Sequence, residues 1–168
     1  MNKHTGPAPL NPMGFTMIET FIVLVIIVII IGISIPTFTV FIPNYRLKSA
    51  AQDLYGNMQS AKIAAIKKNG ESSITFNTVN GTYKKADDEI IDLKKEYKGS
   101  VSYGRPDGTV YVTYTGSPPE VTFNSRGMTG NTSEGAIYLT NVKGNYYKVG
   151  TNPTGSIFFK KWNGKGWE

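Results

Sequence analysis

From Thr20 to Tyr45 the chain runs for 26 residues without a charged side chain, and the centre of this stretch, Phe21 to Ile31, is an unbroken apolar string. Counted from Phe15 to Ile35 the apolar segment is 21 residues, which at about 1.5 Å per residue covers roughly the 30 Å hydrocarbon core of a bilayer. Such a segment can span a membrane as a helix. A secretory signal peptide is the competing reading, but the apolar stretch exceeds the usual h-region and no A-x-A-like site follows it. The flanks set no orientation, because Lys3 and His4 on one side are balanced by Arg46 and Lys48 on the other.

The remaining composition narrows the chemistry. The 168 residues carry 18 Lys or Arg against 12 Asp or Glu, a formal charge of +6, and suit one modest domain plus an appendage. Cysteine is absent and histidine occurs once, as His4. Disulfides, thiolate metal sites and a Cys nucleophile are excluded, and the body of the chain has no imidazole. An enzyme is therefore not expected, although Ser-Lys and paired-carboxylate chemistry stay formally open. No cofactor and no metal is expected either.

Glu19 is the informative charge, since a carboxylate at the edge of an apolar run is costly in a bilayer unless it reaches the headgroups or finds a partner. The string Gly14-Phe15-Thr16-Met17-Ile18-Glu19, directly before the apolar helix, resembles the processing site of type IV pilins and type II secretion pseudopilins. That resemblance implies cleavage after Gly14 by a prepilin peptidase on the cytoplasmic side and N-methylation of Phe15. It also implies that Glu19 serves assembly by neutralising the amino terminus of an adjacent subunit. A buried charge is tolerated when it is paired. Pro36 stands where pilins commonly carry a helix-breaking proline, and proline removes a helix hydrogen bond. The implied location is the cytoplasmic membrane, single-pass with the globular domain outside, and then a pilus or pseudopilus. The implied partners are other pilin subunits, the peptidase and membrane lipid.

Beyond Tyr45 the residues Leu47, Ala50, Ala51, Leu54, Met58, Ala61 and Ala65 recur at spacings of three and four, the apolar stripe of an amphipathic helix. Lys67-Lys68 suit its last turn and Asn69-Gly70 its cap. The run from Leu47 to Gly70 is similar to the helix of the GspH/FimT family of minor pilins and pseudopilins. Fourteen of the 18 glycines fall at or after Gly70, among residues rich in Thr, Tyr, Val, Phe and Ile, so the second half reads as antiparallel β. Strands are expected at 73–79, 82–85, 90–93, 101–103, 109–115, 121–124, 136–142, 146–149 and 156–162, with turns at Asn80-Gly81, Lys143-Gly144-Asn145 and Pro153-Thr154-Gly155. The expected class is α+β: a long N-terminal helix, half membrane and half amphipathic, packed on a C-terminal antiparallel β-sandwich-like domain, the pilin fold. The boundaries read as a leader over 1–14, a transmembrane and assembly helix over 15–44, its amphipathic half over 45–69 and a β-domain over 70–168.

Two side-chain groups could carry chemistry. Asp87, Asp88, Glu89 and Asp92 could gather oxygen ligands for calcium, but their spacing matches no loop motif, and Lys84, Lys85, Lys94 and Lys95 make a self-compensating loop the better account. From Asn141 onward five lysines face Glu168 alone, interleaved with aromatics, a pattern suited to nucleic acid. Lys160, Lys161, Lys165 and Trp162 are the candidate DNA contacts. Some FimT-like minor pilins bind DNA through a GRxR motif, whereas here Gly155-Ser156-Ile157-Phe158 holds no arginine, and lysine lacks the planar fork that clamps phosphate. A filament subunit is thus preferred over a DNA-binding minor pilin for natural transformation.

Overall fold

Thr16 opens the first helix by a capping box, the sequence T-x-x-E closing on itself. Its hydroxyl accepts the Glu19 backbone N–H at 3.2 Å, and the Glu19 carboxylate accepts the Thr16 N–H at 3.5 Å. The computed structural model describes residues 14–109, 111–130 and 133–168, without the side chains of 33–38 and 40. Helix α1 is Met17–Lys67. It ends in a Schellman motif: Asn69 turns left-handed at φ 48°, its N–H reaches the Ile66 carbonyl at 3.2 Å, and the Gly70 N–H reaches the Ala65 carbonyl at 3.1 Å. The cap expected from Asn69-Gly70 is therefore formed.

The chain divides into two units, Met1–Phe38 and Thr39–Glu168. In the first, the described side chains of α1 run to Gly32, and among the described residues no helix is long and apolar enough to cross a membrane. Residues 1–13 of the expected leader lie outside the described residues, as does the side chain of Pro36; the backbone at Pro36, where a helix break is expected, is helical and lies within α1.

The second unit holds the core. All seven residues of the apolar stripe, Leu47 to Ala65, are buried. They share one cluster with Ile74, Phe76, Val121, Phe123, Ile137, Leu139 and Val149, so α1 and the strands enclose a single interior. The strands are β1 (Ser72–Asn77), β2 (Thr82–Lys84), β3 (Ile90–Asp92), β4 (Val101–Tyr103), β5 (Glu120–Phe123), β6 (Gly135–Asn141), β7 (Tyr146–Thr151) and β8 (Ile157–Lys161). They form two antiparallel sheets, ordered β3-β2-β1-β5 and β4-β6-β7-β8. Period-2 patterning explains β1, whose Ser72, Ile74 and Phe76 are buried while the alternate residues are not. The expected α+β class with antiparallel sheets is what forms.

Two local expectations are corrected. The described residues of the segment 109–115, from which residue 110 is absent, form no strand: they touch β6 through an isolated Val112–Ile137 bridge. Thr113 spends its hydroxyl on the Ala136 N–H at 2.7 Å, and the Tyr138 N–H reaches the Tyr111 carbonyl at 2.9 Å. Because β4 pairs only with Leu139–Asn141, this segment covers the remaining length of the same β6 edge. Leu93, expected to end a strand, instead begins the one-turn helix α2 (Leu93–Glu96), capped by Asp92. The Asp92 carboxylate accepts the backbone N–H groups of Lys94 at 2.8 Å and Lys95 at 3.1 Å.

Candidate functional site

At the amino-terminal end every residue from Phe21 to Ile31 is exposed, from 43% at Val25 to 68% at Val28. Consecutive residues on a helix lie 100° apart, so this surface is apolar all round rather than on one stripe. An apolar surface of that extent marks a face built to be covered. Phe15 and Glu19 stand exposed at its start, with Glu19 held back toward the first turn by the capping box described above. Sequence reasoning assigned Glu19 to the interface and to assembly and missed this capping role, although Thr16-x-x-Glu19 announced it.

The acidic loop compensates itself. Lys84 meets Asp88 at 2.9 Å, and Lys85 meets Asp87 at 3.4 Å as well as Glu89. The Glu89 backbone N–H is the main cause that lowers the Asp87 carboxyl, and the hydrogen bond to Glu89 is the main cause that raises Lys85. Asp92 is committed to its cap. Among the described residues no group of three or more His, Cys, Asp or Glu side chains is placed to hold a metal ion.

The carboxyl-terminal candidates divide between two faces of the second sheet. Phe159 stacks on Tyr147 at 4.9 Å and faces the core, so by strand alternation Lys161 follows Phe159 while Phe158, Lys160 and Trp162 point outward. Residues 161–168 fold back as a hairpin, in which Lys161 and Glu168 exchange backbone hydrogen bonds at 2.7 and 3.0 Å. The hairpin brings Trp162 against Trp167 with ring centres 5.2 Å apart, and Trp167 against Tyr138 at 5.4 Å. The Arg105 guanidinium lies 4.9 Å over the Tyr138 ring. Arg105 and Tyr138 are partners that sequence reasoning missed, because both are far from the lysine-rich end in sequence and only the sheet order β4-β6-β7-β8 and the return of Trp167 onto Tyr138 bring them near it.

Two of these cations are already engaged. Arg105 pairs with Asp107 at 3.1 Å, and Lys148 pairs with Glu134 while resting 5.0 Å from the centre of the Phe158 ring. Lys160 is exposed on this face and Lys165 is exposed on the hairpin turn. Of the four proposed DNA contacts, Lys160 and Trp162 thus share a face by strand alternation, Lys161 alternates to the other, and Lys165 lies on the hairpin turn.

At the far end of α1 two glycine turns close on the helix. Lys62 Nζ donates to the Gly155 carbonyl at 2.8 Å, and Gly127 packs so closely that an added Cβ would stand 2.9 Å from both Lys62 and Ile66. Nearer the middle, the Tyr97 hydroxyl donates to Asp53 at 2.7 Å and Asn57 donates to the Tyr83 hydroxyl at 2.9 Å. Burial pushes the Tyr83 phenol up to about 12, so both rings anchor the helix as neutral groups. These contacts lie along the segment from the end of α1 through the glycine turns, and residues 50–155 match the family described as type II transport protein GspH. The chain belongs to the GspH family. No curated protein and no solved structure matches it. The GspH match spans well over half of the chain and includes the stripe of α1 from Ala50 onward, the first sheet and the turns at Gly127 and Gly155. The family connects the chain with type II secretion, and with other pseudopilus subunits as partners in an envelope-associated machine.

Proposed function

We propose that this GspH-family chain is a minor pseudopilin or pilin, a structural subunit of a type II secretion pseudopilus or type IV pilus. The observation that carries this reading is the helix surface that is apolar all round from Phe21 to Ile31, set directly behind Gly14-Phe15-Thr16-Met17-Ile18-Glu19. In the cytoplasmic membrane the 21-residue segment from Phe15 to Ile35 is covered by lipid, and in a filament it is covered by the same segment of neighbouring subunits. A prepilin peptidase removes residues 1–14 and methylates Phe15, Glu19 neutralises a neighbour's amino terminus, and Pro36 loosens the helix between its two halves. The globular domain stays outside the cytoplasm and performs no catalysis. Filaments sheared from cells that carry the assembly machinery should contain the processed chain. Its confinement to the membrane fraction, with filaments otherwise present, would contradict the reading.

A second reading, a DNA-binding minor pilin, is favoured by one observation: Arg105, Tyr138, Lys160, Trp162 and Trp167 gather on one side of the second sheet. The pairing of Arg105 with Asp107 and the opposite facing of Lys161 rank it below the first. Titration of the globular domain with duplex DNA at several salt concentrations separates the two. Phosphate contacts would give a slope of about 0.9 per neutralised phosphate in log affinity against log salt. The expected outcome is binding no tighter than the non-specific range, on the order of 10⁻⁴ to 10⁻⁶ M. Submicromolar affinity at physiological salt, lost when Lys160, Lys161 and Lys165 are changed to Gln, would put DNA uptake first.

A further inference from the structure

Three segments meet at the end of the globular unit where α1 enters it. The Asn44 side-chain oxygen accepts from both Asn141 and Asn145, each at 2.8 Å. Arg46 reaches Ser100 at 2.9 Å, and Val101 pairs with Asn141 across β4 and β6. The β6–β7 turn is held rigid, because the Asn141 side chain accepts the backbone N–H groups of Lys143 at 3.0 Å and Asn145 at 3.1 Å. Its tip is Val142, an apolar residue left 71% exposed, followed by exposed Lys143.

The adjoining face of the helix continues this surface. Phe41 and Tyr45 lie about 60° and 100° round α1 from Asn44, stack on each other with ring centres 6.5 Å apart, and are 63% and 65% exposed. The segments 39–48, 98–103 and 141–145 together hold four cations, Arg46, Lys48, Lys98 and Lys143, and no carboxylate. A phenyl ring beside a tyrosine with its polar tip, an apolar loop tip and a group of cations without a carboxylate among them suit the boundary between headgroups and acyl chains.

We infer that this end is a seat for an anionic phospholipid surface: Val142 and Phe41 enter the interface, Tyr45 lies at headgroup level, and Lys143, Lys98 and Lys48 contact lipid phosphates. The inference rests on the membrane reading above, since the seat directly follows the apolar segment in the chain. It gives the subunit a fixed orientation on the membrane before extraction, and assembly must break the seat.

The chain has no cysteine, so single sites can be labelled in the full-length protein. Val142→Cys and Met128→Cys are each given a nitroxide, in vesicles of phosphatidylcholine alone or with phosphatidylglycerol. Position 128 adjoins Gly127, which packs on Lys62 and Ile66, about 30 Å along α1 from Asn44 at the helical rise per residue. The label at 142, not that at 128, should be shielded from a water-soluble nickel chelate and open to oxygen, and more so with phosphatidylglycerol. Lys143→Gln should lower the ratio of seated to unseated protein about fivefold, the equivalent of about 1 kcal/mol per cation at an anionic surface. Carbonate extraction of the same vesicles separates the two claims. Protein that resists extraction while its label at 142 is as water-accessible as that at 128 would overturn the seat alone. Equal shielding without anionic lipid would overturn the assignment to anionic phospholipid, and extracted protein would overturn both readings.

Discussion

Gly155→Ala is expected to destabilise the globular unit by about 3 to 5 kcal/mol, combining a left-handed backbone penalty with overpacking against a group that cannot yield. Gly155 holds φ +77°, and an added Cβ would stand 1.8 Å from the Gly127 carbonyl oxygen and 2.8 Å from its carbon. The obstacle is backbone, so one of the two turns must move. Movement also breaks the 2.8 Å bond from Lys62 to the Gly155 carbonyl, which ties the far end of α1 to the sheets. Gly144→Ala is the matched control. Gly144 is left-handed too, at φ +71°, but nothing lies within 4 Å of its added Cβ, so its cost should be the backbone term of roughly 1 to 2 kcal/mol. Urea unfolding of the two variants checks this. Equal losses would show that the approach of Gly127 to Gly155 contributes nothing.

The second large effect concerns Glu19, for which the structure and the proposed function assign different work. As the second half of a capping box it contributes on the order of 1 kcal/mol to helix initiation, and glutamine serves that role as well as glutamate does. As the partner of a neighbour's amino terminus it contributes through its charge, and breaking a buried pair costs about 3 to 5 kcal/mol. Glu19→Ala removes both functions, whereas Glu19→Gln removes only the charge. Both variants should be processed and reach the membrane at wild-type levels. Both should then fall at least about tenfold in purified filaments, as a loss beyond 1.4 kcal/mol requires. Normal incorporation of Glu19→Gln beside poor incorporation of Glu19→Ala would reduce Glu19 to a helix cap.

The parts of the fold governed by local periodicity were legible. The spacing of Leu47, Ala50, Ala51, Leu54, Met58, Ala61 and Ala65 specified a buried helix face, and all seven are buried. Asn69-Gly70, directly after Lys67-Lys68, specified a helix end because it offered a left-handed cap behind a basic last turn. The misread places are those where one side chain overrides the pattern. Residues 109–115 alternate like a strand, but β4 already occupies part of the β6 edge and the Thr113 hydroxyl replaces a ladder bond. Asp92 looked like one carboxylate in an acidic group, yet its two backbone bonds start a helix. The grouping of Arg105 with Tyr138 and Trp167 depends on contacts between residues that are far apart in sequence, which no local pattern records. The same holds for the seat at Asn44, whose partners Asn141 and Asn145 are 97 and 101 residues away.

Processing at Gly14 is the step on which the assembly account depends, because the amino terminus that Glu19 is said to neutralise exists only after cleavage. The direct measurement is the intact mass and amino-terminal peptide of the protein recovered from membranes of cells with an active prepilin peptidase. The account predicts a chain that begins at Phe15, lacks residues 1–14 and carries one added methyl group on its amino terminus. A chain that still begins at Met1 in those cells would contradict it.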